Sequence, residues 1–75
     1  MSKTAIATFH TRRGAELMLL NLAADAGWTY DALNFRFGRE AANGNKVAWY
    51  SVERSPRKGW WAIIREEASN HAAER

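Results

Sequence analysis

LAADAGWTYDALNFRF, residues 22–37, is the stretch on which the fold of this chain turns. Upstream of Gly27 the residues are strong helix formers, and Gly27 suits the left-handed position that closes many helices. Downstream, Thr29 is a good N-cap and Asp31 falls in a first turn, where the helix dipole favours an anion. Tyr30, Leu33, Phe37 and Ala41 then recur at helical spacing, and Asn43-Gly44 supplies a stop. The preferred reading is a second helix over residues 30–42, joined to the first across a two-residue corner. The same letters allow a strand: Leu33, Phe35 and Phe37 alternate with Asn34 and Arg36, and Asn43-Gly44 becomes a hairpin turn. Gly38 would cost a helix interior about 1 kcal/mol.

The neighbouring elements are plainer. Residues 15–26 (AELMLLNLAADA) hold no β-branched residue and read as helix. Met18, Leu19, Leu22 and Ala26 share a face that Ala15 extends, and Leu17 and Leu20 widen the apolar stripe enough for cover on more than one side. Glu16 lies near the start of this helix. Residues 4–11 (TAIATFHT) alternate as a strand, and Arg12, Arg13 and Gly14 interrupt it. Residues 46–54 (KVAWYSVER) and 59–66 (GWWAIIRE) are rich in Val, Trp, Tyr and Ile and read as two further strands. Ser55-Pro56-Arg57-Lys58 joins them, and Gly59 just beyond fits a type I turn with a bulge. The fold class expected is α+β in the order β-α-α-β-β, two helices on a three-stranded antiparallel sheet. If residues 31–40 are a strand, it becomes β-α-β-β-β, one helix on a four-stranded sheet.

Length and composition bound what such a chain can do. With 75 residues it holds one core, expected over residues 1–66, with residues 67–75 (EASNHAAER) as a polar tail. It has no cysteine, which excludes disulfides and thiolate zinc sites and fits a reducing cytoplasm. The start, MSKTAIATF, lacks the apolar run of a signal peptide, and no segment reaches the roughly 18 apolar residues of a membrane span. His10 and His71 are the two histidines, and neither has the company of a metal site. Ser51, Ser55, His10 and the carboxylates show no nucleophile or dyad spacing, and no Gly-rich phosphate loop occurs. The expectation is a binding protein without catalytic residues, cofactor or metal. The net charge is +3 and the pI near 9.8, which tilts the partner toward nucleic acid or another acidic surface.

The candidate contacts follow from residue type. A helix over residues 30–42 would turn Phe35, Gly38 and Arg39 outward, with Asn34 and Arg36 on its flanks. Asn and Arg pair best with base edges, and Arg also binds phosphate. An outward Phe35 fits a protein contact or a homodimer better. Arg54, Arg57 and Lys58 gather at the β-hairpin tip, and Arg12 and Arg13 follow the first strand. The hairpin is apolar on both faces. Ala48, Tyr50 and Val52 alternate with Val47 and Trp49, while Trp60 and Trp61 must point opposite ways. One face therefore carries an excess of aromatic surface, with Trp49 and Trp60 as its anchors. Aromatics beside Arg can stack on bases, and protein-interface anchors have the same composition.

Ala23, Gly27, Trp28 and Leu33 occupy the small, glycine, apolar and inward-apolar slots of the helix-turn-helix signature. With the hairpin of residues 46–66 added, residues 15–66 resemble a reduced winged helix-turn-helix domain. That resemblance implies a recognition helix at residues 30–42 with Asn34, Arg36 and Arg39 as contacts, and a wing at Arg57 and Lys58. Arg36 stands where the pattern has an apolar residue, and a strand stands where it has a preceding helix. In size and aromatic density the chain is also similar in type to phage- and plasmid-encoded inhibitors, anti-CRISPR proteins among them. These bear on the second class of function, a small protein docking on a larger protein or nucleic-acid-binding complex. Grouping of Arg12, Arg13, Arg36, Arg39, Arg57 and Lys58 on one face favours nucleic acid; scatter with a bare Trp patch favours a protein.

Overall fold

The computed structural model describes residues 3–68. The expected polar tail lies outside the described residues from position 69 onward, His71 included. The elements run β1 (Lys3–Phe9), α1 (Arg12–Ala26), β2 (Thr29–Asp31), β3 (Arg36–Glu40), β4 (Lys46–Arg54) and β5 (Trp61–Glu67). All five strands form one antiparallel sheet in the order β1-β5-β4-β3-β2, and α1 packs on one face of it.

This corrects the expected β-α-α-β-β fold. Residues 30–42 are not a helix but the end of β2, a four-residue loop, β3 and the start of the turn that follows it. Tyr30 and Phe37, placed on one helical stripe by spacing, are instead cross-strand partners with ring centroids 5.0 Å apart. Leu33 sits in the loop and is 90% exposed. Thr29 does not cap a helix; it pairs with Gly38. Asp31 accepts the Leu33 N–H at 3.1 Å, an Asx turn that bends the chain instead of continuing it. The alternative of one helix on a sheet is closer, with one strand fewer than the five found.

The helix starts earlier than its letters imply. Thr11 caps it, accepting the Gly14 N–H at 3.0 Å. Gly27 ends it in the left-handed conformation (φ 72°), and the Trp28 N–H returns to the Ala23 carbonyl at 3.0 Å. Ala15, Leu19 and Ala23 are buried against the sheet. Leu17, Met18 and Leu20 are exposed, so among the described residues the wide apolar stripe is covered on one side alone.

Cross-strand rows define the two faces. Toward α1 lie Phe9, Trp61 and Arg54 in one row, Ala7, Ile63 and Val52 in the next, then Tyr50, Phe37 and Tyr30. Trp28 stacks on Tyr50 with centroids 4.0 Å apart and planes 8° apart, closing the core beside the helix end. The other face is laced by polar side chains. Arg36 lies 3.7 Å over the Trp49 ring and donates to Asp31 at 3.2 Å; Ser51 donates to Glu53, which pairs with Lys3 at 3.6 Å. The stem and head of a long cation can cover apolar surface, so Trp49 is not a bare anchor. Among the described residues no helix is long and apolar enough to cross a membrane.

Candidate nucleic-acid interface

Antiparallel register sends three connections to the same end of the sheet. β1 leaves at Phe9, β4 leaves at Arg54, and β5 begins at Trp61, all in one row. β3 begins at Arg36, so the loop of residues 32–35 emerges at that end too. His10 comes from the corner between β1 and α1, Arg12 and Arg13 from the first turn of α1, Arg54 from the end of β4, and Arg57, Lys58 and Trp60 from the β4–β5 connection. That connection is fixed by a 3.0 Å bond from the Ser55 N–H to the Trp60 carbonyl, with Gly59 left-handed at φ 86°. Its tight turn runs from Arg57 to Trp60, two residues beyond the turn that Pro56 marks.

The tryptophans at this end hold cations. Arg57 sits 4.5 Å from the Trp60 centroid, and the His10 ring lies tilted by 38° against the same indole, centroids 4.0 Å apart. Arg54 and Arg12 lie 4.8 and 5.6 Å from the Trp61 centroid. A guanidinium lying over an indole keeps its N–H edge free, the edge that matches a phosphate oxygen pair. Arg12 is also paired with Glu16 at 2.9 Å across one helical turn. Among the described residues, Arg13, Arg54, Arg57 and Lys58 form no ion pair. Four uncompensated cations at one end is a strong local field for a chain whose net charge is +3.

The predicted contacts divide. Arg12, Arg13, Arg54, Arg57, Lys58 and Trp60 come together, and Asn34 and Phe35 lie in the loop at the same end. Asn34 turns back on its own loop, donating from Nδ2 to Asp31 at 2.9 Å. Arg36 is likewise spent on Asp31 and Trp49. That Asn34 hydrogen bond is the main cause holding the Asp31 carboxyl below its ordinary value of 3.8, with the Arg36 guanidinium and the loop N–H groups acting the same way. Arg39 stands apart, beside Gly27 and Trp28 at the C-terminal end of α1, where helix carbonyls favour a cation. Trp49 faces away from the helix under Arg36.

Sequence reading passed over three features here. His10 is not among the contacts expected from the sequence, yet its ring lies tilted against Trp60 with centroids 4.0 Å apart. Trp61 is likewise absent from those contacts, although the Arg54–Trp61 pairing follows once the hairpin register is fixed. The third is a groove of about 580 Å³ between α1 and the β2–β3 hairpin, lined by Arg12, Leu20, Tyr30, Phe35, Phe37 and Val52 among others. Among the described residues no cluster of His, Asp and Glu is able to hold a metal. No protein-family model, curated protein or solved structure matches the chain.

Proposed function

We propose that this chain is a small non-enzymatic nucleic-acid-binding protein that works in the cytoplasm and grips phosphates with the basic end of its sheet. One observation supports this above the others: Arg13, Arg54, Arg57 and Lys58 stand at that end with no carboxylate partner among the described residues, from two parts of the chain far apart in sequence. Scattered surface cations need no explanation, but a local excess of one sign on a mildly charged chain favours a polyanion. The proposal keeps the partner read from the sequence and not the recognition helix. Cations on aromatic platforms bind phosphate by position and charge, and such contacts carry little sequence information.

Fluorescence anisotropy with a labelled oligonucleotide across a salt series tests it. Neutralising about four phosphates gives a slope of log affinity against log salt near −3 to −4. Arg57→Ala and Lys58→Ala should each flatten that slope by about one. Absence of binding at about 50 mM salt, where phosphate contacts are still strong, overturns the proposal.

A second reading rests on Leu33 and Phe35, which are 90% and 77% exposed on one loop. A large apolar pair displayed in this way is also the mark of a protein-docking surface, as in a phage- or mobile-element-type inhibitor that docks on a larger protein. For that reading, a Leu33→Ser, Phe35→Ser bait loses a partner that the unaltered chain captures, with its unfolding midpoint unchanged.

A further inference from the structure

Phe35 is the unusual residue of the loop. It holds a left-handed backbone (φ 54°), the sole non-glycine residue among those described to do so, and it still exposes 77% of its surface. A bulky side chain in that region is strained. No burial of Phe35 offsets it. The ring borders the groove whose floor and walls include Tyr30, Phe37 and Leu20, and the ion pair of Arg12 with Glu16 lies on the same groove. Arg12 also reaches Trp61, so groove and basic end are continuous through one residue.

The indoles at the basic end are in use. Trp60 carries His10 and Arg57, and Trp61 carries Arg12 and Arg54. Stacking on a base requires an open ring face. At this end of the sheet the open aromatic surface belongs to Phe35 and Tyr30, which is 52% exposed. A single strand has bases free to stack, whereas in a duplex they are stacked on one another.

Resting on the nucleic-acid reading above, we infer that the ligand is single-stranded nucleic acid, its phosphates on the arginines of the basic end and a base lodged on Phe35 in the adjoining groove. The strained loop then positions a stacking platform beside the phosphate track of Arg54, Arg57 and Lys58, with Arg12 held between Glu16 and Trp61 at the junction. The cationic rim complements the strand, and the apolar groove complements an unstacked base.

The experiment compares the full chain with its Phe35→Ser and Phe35→Trp variants. Three labelled probes of equal length are used: a mixed-sequence single strand, its duplex, and an abasic single strand. A base stacked on an aromatic ring is worth enough that Phe35→Ser should weaken single-strand binding by about tenfold or more. Phe35→Trp should retain most of the affinity. The salt slope should not change, because no phosphate contact is removed. Neither variant should alter binding to the abasic strand. Equal losses on the mixed and abasic strands, tighter binding of the duplex, or no effect of Phe35→Ser each overturn the base site while leaving the phosphate reading intact. Failure of all three probes to bind overturns the phosphate reading itself, and loss of a captured protein with Phe35→Ser then assigns the loop to a protein partner. Phe35 is exposed, so both variants should fold; circular dichroism checks this.

Discussion

Two residues show how single positions set both stability and function. Gly38 lies in the middle of β3, opposite Trp49. A Cβ there would stand 2.8 Å from the Trp49 ring and 2.8 Å from the Lys46 side chain. The lysine end can move; the indole is held between the sheet and Arg36. Gly38→Ala should therefore destabilise the chain by about 1–3 kcal/mol, as overpacking does, read as a lower urea midpoint. Phe35 runs the other way. Phe35→Gly removes the left-handed penalty but loosens the unfolded chain, leaving a net gain of roughly 0.5 kcal/mol. If the loop is a base platform, the same variant gains stability and loses single-strand affinity. A lower unfolding midpoint for Phe35→Gly would show that the ring contributes packing that its exposure does not reveal.

At the scale of elements, the β2–β3 hairpin is where sequence and structure part. The strands β4 and β5, the first strand and the Gly27 helix end were legible, because alternation, β-branching and a left-handed glycine act within a few residues. Residues 30–42 were not. Tyr30 and Phe37 are seven apart, a spacing shared by two helical turns and by a hairpin of this loop length. Asp31 serves equally as a first-turn anion or as an Asx-turn acceptor. Gly38 was the discriminating letter: it is costly in a helix, but in a strand it marks a close approach, here by Trp49. For the site, the cations were legible as residue types, and their convergence required the register. The carboxylate of Asp31 gathers the Leu33 N–H, Asn34 and Arg36, and its folded-state pKa is lowered from 3.8. A depressed carboxyl contributes stability above its unfolded value. That contribution is lost as pH falls from about 4 through the folded value. Melting temperatures should thus drop below pH 4, and Asp31→Asn should show a shallower drop over the same range. An identical acid profile for the two proteins would assign the loop's order to other groups.

Across the whole molecule, charge is arranged by end and not by face. One end of the sheet carries the corner after β1, the β2–β3 loop and the β4–β5 connection, and with them Arg13, Arg54, Arg57, Lys58 and Phe35. The opposite end carries the Asn43-Gly44 turn, where Lys46 is paired with Glu40, and Arg39 lies toward the C-terminal end of the helix. This arrangement separates attraction by net charge from binding at a site. Arg39→Ala and Arg57→Ala each take the net charge from +3 to +2, one unit less than the sequence gives. If the chain were held to a polyanion by its overall charge, the two would weaken binding alike and flatten the salt slope alike. If the basic end is the site, Arg57→Ala removes about one phosphate contact and lowers the slope by about one. Arg39→Ala should then leave the slope unchanged and the affinity within about twofold, since exposed charges more than a Debye length of about 10 Å away are largely screened at 0.1 M salt. The comparison is made by anisotropy from 50 to about 200 mM salt, a range that separates phosphate contacts from diffuse attraction. Equal slopes for the two variants would remove the basic end as a distinct site. A slope changed by Arg57→Ala alone would place the phosphates on the turn that Trp60 and His10 hold in position.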